Sequence, residues 1–98
     1  MKTKTHKAEK ANHPYKIGAN YLIRTCTMTD TGKLVAVYEN ELVLENAAWV
    51  AETGRFADAV KNSSFNEVEP FPQNREVIIG RGAIIDAVEI DKLPVDQK

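Results

Sequence analysis

Alternating aliphatic residues predict two paired strands near the middle of the chain. In residues 32–46, GKLVAVYENELVLEN, one alternating run precedes the polar stretch Tyr38-Glu39-Asn40-Glu41 and a second run follows it. A period of two on both sides of a short polar turn is typical of a β-hairpin. We therefore predict a hairpin here, with the remaining strands arranged around it.

Three further strands are predicted from the same kind of pattern. Residues 20–28, NYLIRTCTM, alternate and are rich in β-branched residues, and residues 29–32 have the composition of a turn. Residues 77–79 and 83–90 are rich in valine and isoleucine. The link between them, residues 80–82, carries two glycines, which are expected to supply the positive φ of a tight connection.

The insert between the third and fourth strands, residues 47–74, has no uniform period. Its first five residues either extend the third strand or begin a helical turn. Thr53 is predicted to cap a short helix over residues 54–61. Residues 65–73 are expected to be irregular or briefly extended, because Pro70 and Pro72 cannot serve a central strand.

Four aromatic residues of the insert have two possible roles. They either close one end of a barrel or form a stacking surface for a base or a sugar. These residues are Trp49, Phe56, Phe65 and Phe71.

Length and composition limit the fold to one small domain. Ninety-eight residues with 43% hydrophobic content support one modest core. A single cysteine excludes an intramolecular disulfide, and no apolar run approaches the ~18 residues of a membrane helix. We expect a basic arm over residues 1–19, a β domain over residues 20–91 and a polar, fraying tail over residues 92–98.

Charge is distributed unevenly along the chain. Residues 1–16 contain five lysines and one glutamate, a net charge of +4, whereas the rest contains eight basic and thirteen acidic residues, a net charge of −5. The arm is either a solubilising tail or a contact for nucleic acid or a neighbouring subunit. In the second case assembly is expected to weaken with salt. The candidate contact residues are Lys2, Lys4, Lys7, Lys10 and Lys16.

The succession of strands and turns resembles the Sm-like proteins. Residues 21–46, with Gly32-x-Leu34 and a polar turn, are similar to the first Sm motif, and residues 78–85, IIGRGAII, to the second. The resemblance implies a mainly β fold, a small five-stranded SH3/Sm-like barrel with one short helix in the insert between strands 3 and 4. It covers roughly half of the chain.

A candidate ligand site follows from that resemblance. Arg81 in a glycine turn lies beside free backbone N–H groups, which suits a phosphate or carboxylate oxygen. In an Sm-like ring, arginine and asparagine would repeat around a central opening where a tyrosine stacks a base. The alternative for Arg81 is a surface salt bridge to Asp86, Glu89 or a neighbour. The candidate residues are Arg81, Gly80, Gly82, Asn40 and Tyr38.

A second resemblance concerns origin. The segments TGKLVAVYENELVLENAAWVAETGRF, FNEVEPFP and VIIGRGAIIDA resemble an uncharacterised family of small phage- and prophage-encoded proteins. This implies a virus-associated, non-enzymatic protein, found in the cytoplasm of a bacterial host or in the virion. An N-terminal signal peptide is not supported, because no apolar segment follows the first lysines.

Enzymatic chemistry is not indicated by the sequence. No glycine-rich phosphate loop or Ser/His/Asp arrangement is visible, and His6 and His13 lack the spacing of metal ligands. Cys26 is predicted to pack as a small hydrophobe. We predict neither cofactor nor metal.

The sequence is compatible with two functions. The first is a homo-oligomeric assembly or binding module, most simply a virion or assembly component, whose partners are itself or other phage proteins. Its terminal strands, residues 76–80 and 83–90, would pair edge to edge between subunits. The second is a soluble Sm-like ring that binds RNA or sequesters a nucleotide-like signal molecule. No membrane partner is predicted.

Overall fold

The computed structural model describes residues 13–98, which form one antiparallel sheet of six strands with one helix. The strands are β1 (Asn20–Thr25), β2 (Thr29–Val37), β3 (Glu41–Glu52), β4 (Glu67–Pro70), β5 (Val77–Gly80) and β6 (Ile84–Glu89). The helix is α1 (Phe56–Asn62), and a 3-10 turn (Arg81–Ala83) joins β5 to β6. The predicted mainly β fold, with a short helix within residues 47–74, is confirmed.

The long strand β3 pairs along one of its edges with two different strands, β4 and β5. The pairing order is β4-β3-β2-β1-β6, and β5 pairs with the first four residues of β3 while β4 pairs with its second half. The strands β5 and β6 therefore lie at opposite ends of the sheet although three residues join them. The predicted tight link with positive φ is wrong, because Gly80 has a φ of −70° and the connection is a 3-10 turn.

The central hairpin is confirmed, but the preceding turn lies elsewhere. The Tyr38 N–H donates to the Glu41 carbonyl oxygen at 2.8 Å, which closes the predicted polar turn. The strand β1 ends at Thr25, whose hydroxyl accepts from the Met28 N–H at 2.9 Å. Residues 29–32 consequently belong to β2 rather than to a turn. Gly32 lies in the core, where an added Cβ would come within 2.9 Å of Leu44.

The insert contains more regular structure than its composition indicates. The strand β3 extends to Glu52, which settles the two alternatives for residues 47–51 in favour of a strand. The helix cap differs from the prediction. Arg55 is the N-cap without a side-chain hydrogen bond, and the Thr53 hydroxyl donates to the Gly54 carbonyl oxygen. The strand β4 lies beside the second half of β3 and ends at Pro70.

Two hydrophobic clusters lie on opposite faces of the sheet, and the strand β1 contributes side chains to both. Tyr21 and Ile23 point to the first face and Leu22 to the second. The first-face cluster consists of Tyr21, Ile23, Leu34, Leu42, Leu44, Ala47 and Ile79. The second-face cluster consists of Leu22, Ala48, Val50, Ala59, Phe65, Val68 and Ile90. The insert therefore supplies the cover of the second face through α1, Phe65 and β4.

The end of the described chain returns to the sheet. Val68 of β4 and Lys98 exchange two backbone hydrogen bonds, at 3.1 and 2.9 Å, and the Lys92 N–H donates to the Ser63 hydroxyl. Residues 92–98 thus differ from the fraying tail that their polarity predicts. Most of the predicted basic arm, including the lysines at positions 2, 4, 7 and 10, lies outside the described residues.

Candidate functional site

The predicted ligand-binding residues meet where the 3-10 turn contacts the hairpin turn. The Arg81 backbone N–H donates to the Asn40 carbonyl oxygen at 2.8 Å. The Arg81 Nη1 donates to the carbonyl oxygens of Tyr38, at 2.8 Å, and Glu39, at 3.2 Å. The structure therefore brings Tyr38, Asn40 and Arg81 together, with Gly80 and Gly82 on either side of the arginine.

An aromatic residue that sequence reasoning missed completes this corner. The Arg81 guanidinium lies over the Tyr15 ring, 5.4 Å from its centroid. Tyr15 packs edge-on against Tyr21, with ring centroids 6.2 Å apart, and the His13 ring is 6.0 Å from it. Tyr15 lies in a segment without hydrophobic periodicity, so an aromatic residue among lysines was the one signal available.

The positive charge of Arg81 is not neutralised by the carboxylates that we considered for it. Asp86 pairs with Arg24, and the Glu89 carboxylate accepts from the Lys16 Nζ at 3.1 Å. Within residues 13–98 no carboxylate lies within 4 Å of the Arg81 guanidinium, and its hydrogen bonds use Nη1 alone. Guanidinium carries five N–H donors, so Nε and Nη2 remain able to bind an oxyanion.

A second charged group on the other side of the sheet is fully paired. The Arg24 Nε donates to Asp86 Oδ1 at 2.9 Å, the Nη2 donates to Oδ2, and the guanidinium stacks 4.7 Å from the centroid of Phe56. The hydrogen bond from Arg24 holds the pKa of Asp86 below its ordinary value, and the same bond raises the pKa of Arg24. We call these three residues the closed cluster.

A third group resembles the closed cluster but lacks a cation. Asp30 of β2 lies directly opposite Trp49 of β3, and Trp49 lies directly opposite Glu69 of β4. Burial raises the pKa of Asp30. Neither carboxylate forms an ion pair within the described part of the chain. We call Asp30, Trp49 and Glu69 the open row.

The insert aromatics separate into core and surface residues. Phe65 is 2% exposed and belongs to the second-face cluster, whereas Trp49, Phe56 and Phe71 are each 40% exposed. Cys26 is also exposed, and its thiol donates to the Ala83 carbonyl oxygen at 3.6 Å. The prediction that Cys26 is packed is therefore wrong.

The strand β5 exposes an unpaired edge. Because Arg81 and Asn40 form a hydrogen-bonded pair, alternation along an antiparallel ladder directs the N–H groups of Ile78 and Gly80 away from β3. No backbone hydrogen bond among residues 13–98 uses those two N–H groups. The Ile78 side chain is 66% exposed.

The outer edge of β6 is open in the same way. The Ile90 N–H donates to the Asn20 carbonyl oxygen, so the backbone groups of Ala87 and Glu89 point away from β1. A groove of about 420 Å³ lies beside this edge. It is lined by Pro14, Tyr15, Tyr21, Ala87, Val88 and Glu89.

Residues 13–98 contain no group of three or more acidic, histidine or cysteine side chains arranged to hold a metal ion, and no helix there is both long and apolar enough to cross a membrane. No protein-family model, curated protein or solved structure matches the chain.

Proposed function

We propose that this chain is a non-enzymatic subunit of a homo-oligomer in which β5 of one copy pairs with β6 of the next. The strands β1, β2, β3, β5 and β6 would form the SH3/Sm-like barrel, with α1 and β4 as an insertion. The short link between β5 and β6 supports this proposal, because it draws the two ends of the sheet toward each other.

The observation that carries the proposal is the unprotected edge of β5. Its four residues, Val77–Gly80, include no charged side chain, and two N–H groups point outward from them. Edge strands of monomeric proteins are usually shielded by charged residues, proline or a covering segment, since a free apolar edge pairs with other chains. Apart from its short length, β5 carries neither charge nor proline, and its exposed isoleucine fits an edge that is covered by another copy.

The edge of β6 is the matching surface. Its outward backbone groups, at Ala87 and Glu89, lie beside the groove that Tyr15 helps to line. An incoming strand would gain main-chain hydrogen bonds from β6, and the groove would receive its side chains. Since β5 and β6 are different surfaces, the contact is heterologous and generates either a closed ring or a filament.

Two substitutions at one glycine test the pairing. Gly80→Pro removes the outward N–H, while its φ of −70° already suits proline and an added Cβ meets nothing within 4 Å. Gly80→Ala adds the same Cβ but keeps the N–H. We expect light scattering after size exclusion to show an oligomer for the wild type and Gly80→Ala, and a monomer for Gly80→Pro.

Circular dichroism supplies the folding control for that comparison. All three proteins should give the same β-sheet spectrum, because the substituted N–H has no partner within residues 13–98. A monomeric wild type, or a Gly80→Pro variant that assembles as well as the wild type, contradicts the proposal.

We propose further that the assembly is of phage type and serves as a virion or assembly component. The resemblance of residues 31–56, 65–72 and 77–87 to phage-encoded proteins supports this origin. The test is protease digestion of the lysine-rich segment. A virion component is expected to be cleaved there as a free subunit and protected in particles; equal cleavage in both states contradicts the virion role.

A second candidate function is binding of a phosphate-bearing ligand, RNA or a nucleotide, at Arg81. The unneutralised guanidinium over Tyr15 favours it, because stacked arginine with free donors suits phosphate. Native mass spectra of the purified protein should then show retained nucleotide, which is lost on Arg81→Gln. It should be kept on Lys33→Gln, which removes one positive charge from an exposed residue of β2. Absence of bound mass, with no affinity for added mononucleotide or single-stranded RNA, excludes this candidate.

A further inference from the structure

We propose that the open row binds lysine ammonium groups, and that its occupant is the lysine-rich segment of this chain, residues 1–12. This inference does not require the pairing of β5 with β6, because the segment of the same copy or of another copy can fill the row. It assigns a binding role to the exposed tryptophan and to two carboxylates that form no ion pair within residues 13–98.

The register of three strands creates the row. Directly paired residues of antiparallel strands project from the same face of the sheet. Asp30, Trp49 and Glu69 therefore stand side by side, with a carboxylate on each side of the indole. Neighbouring strands are about 4.8 Å apart, so an ammonium above the indole would lie roughly 5 Å from the stem of each acidic residue.

The chemistry of the row matches an alkylammonium group. Tryptophan is the best aromatic partner for a cation, and two carboxylates supply the opposite charge. The closed cluster shows the same three kinds of group with the cation present, since Arg24 binds Asp86 and stacks on Phe56. Residues 13–98 place no such cation on the open row.

Burial is unfavourable for one of the two acids, which has no cationic partner among residues 13–98. Asp30 is partly buried on the first face, opposite the fully buried Ile23, and its pKa is raised by that burial alone. An ammonium group placed against it would offset the lost hydration. The exposed face of Trp49, 40% accessible, leaves room for this group.

Charge and reach identify the occupant. Residues 1–12 carry Lys2, Lys4, Lys7 and Lys10 against one glutamate. The described chain begins at His13, next to Tyr15, which packs on the first face of the sheet. The open row continues the row of Ile23 on that same face. Twelve residues extend to roughly 40 Å, which equals the longest dimension of the described structure, 39 Å.

The tryptophan itself provides the measurement. Trp49 is the only tryptophan of the chain, so quenching of intrinsic fluorescence by acrylamide reports on this site alone. The full-length wild type is compared with a variant in which Lys2, Lys4, Lys7 and Lys10 are replaced by glutamine. At low salt we expect the quenching constant to rise about two-fold in the glutamine variant, because the indole loses its cover.

Three controls make the result specific. Replacing the same lysines by arginine keeps the charge and should preserve the wild-type quenching. The double substitution Asp30→Asn and Glu69→Gln should raise quenching as the glutamine variant does, and high salt should bring the wild type to the same value. Protection that persists on dilution assigns the segment to its own copy, and protection lost on dilution assigns it to a neighbour.

Two outcomes overturn the inference. One is identical quenching of the wild type and the glutamine variant at low salt. The other is increased quenching in the glutamine variant together with wild-type quenching in the Asp30→Asn, Glu69→Gln protein. In that case the lysines cover the indole without help from the two acids. Neither outcome bears on the β5–β6 contact, which is measured by oligomeric state.

Discussion

The closed cluster and the open row each place carboxylate groups beside an aromatic ring, on opposite faces of the sheet. In the closed cluster the chain supplies its own guanidinium, which holds the carboxylate of Asp86 in two hydrogen bonds and stacks on the ring of Phe56. In the open row Asp30 and Glu69 stand beside an exposed indole without a cation from residues 13–98. The first arrangement completes the fold. The second is available to a partner.

The largest expected effect on stability concerns the buried residues beneath α1, the helix that carries Phe56 of the closed cluster. Phe65 is buried in the cluster that also holds Ala59 of α1, the helix that carries Phe56. Phe65→Ala should lower the free energy of unfolding by about 3–5 kcal/mol, because it leaves a cavity in the core. Urea denaturation measures the change.

The matched control is Phe71→Ala, which makes the same truncation at a side chain that is 40% exposed. We expect a loss below about 1.5 kcal/mol, since much of that ring already contacts water. Equal losses at the two positions would show that the insert does not hold the second face together.

A smaller effect concerns a fully buried hydroxyl group, in contrast to the more accessible carboxylates of the open row. Thr31 is fully buried between Leu22 and Ala48, and its hydroxyl has no hydrogen-bond partner within the described residues. Thr31→Val removes that hydroxyl at nearly constant shape and should stabilise the protein by about 1 kcal/mol. Thermal unfolding checks the sign, and a decrease in melting temperature would indicate a partner for the hydroxyl.

The smallest expected effects are the pH-dependent contributions of Asp30 and Asp86 to stability, which have opposite signs. The pKa of Asp30 is raised in the folded state, so its contribution to stability is fully present below the ordinary carboxyl pKa and is lost as pH rises through the folded value. The pKa of Asp86 is lowered, so its contribution is present above the ordinary pKa and is lost as pH falls through the folded value.

Two asparagine variants measure this difference. At neutral pH and high salt we expect Asp30→Asn to stabilise the protein and Asp86→Asn to destabilise it, each modestly. Both differences should shrink in acid, where the wild-type carboxyls are protonated as well. Urea midpoints at the two pH values give the result, and effects of the same sign at neutral pH contradict the contrast between the two sites.

The parts of the fold that local patterns determine were predictable. Alternation on both sides of residues 38–41 specifies the hairpin, since register and turn lie within a few residues of each other. The 3-10 turn was not predictable in this way. Gly80 and Gly82 suit a tight hairpin locally, but β5 and β6 each pair with a distant strand, β3 and β1, and that choice is made by the whole sheet.

The candidate sites show the same division. The grouping of Tyr38, Asn40 and Arg81 came from the resemblance to Sm-like proteins, because two separate turns do not indicate by themselves that they meet. The contribution of Tyr15 was not predictable, because the segment before β1 has no period. The open row depends on the register of β3 against β2 and β4, and bulges shift both registers. No local sequence pattern indicates that Asp30 and Glu69 flank Trp49.

The shared strand β3 has a consequence for how any assembly would present its surfaces. Its first residues hold the edge strand β5, and Trp49 lies further along the same strand, about 20 Å away at the rise of an extended chain. The strand would thus set a fixed distance between the proposed contact surface and the proposed lysine site. In a ring or filament of the proposed kind, the tryptophans would recur at equal intervals, as regularly placed attachment points for lysine-rich segments.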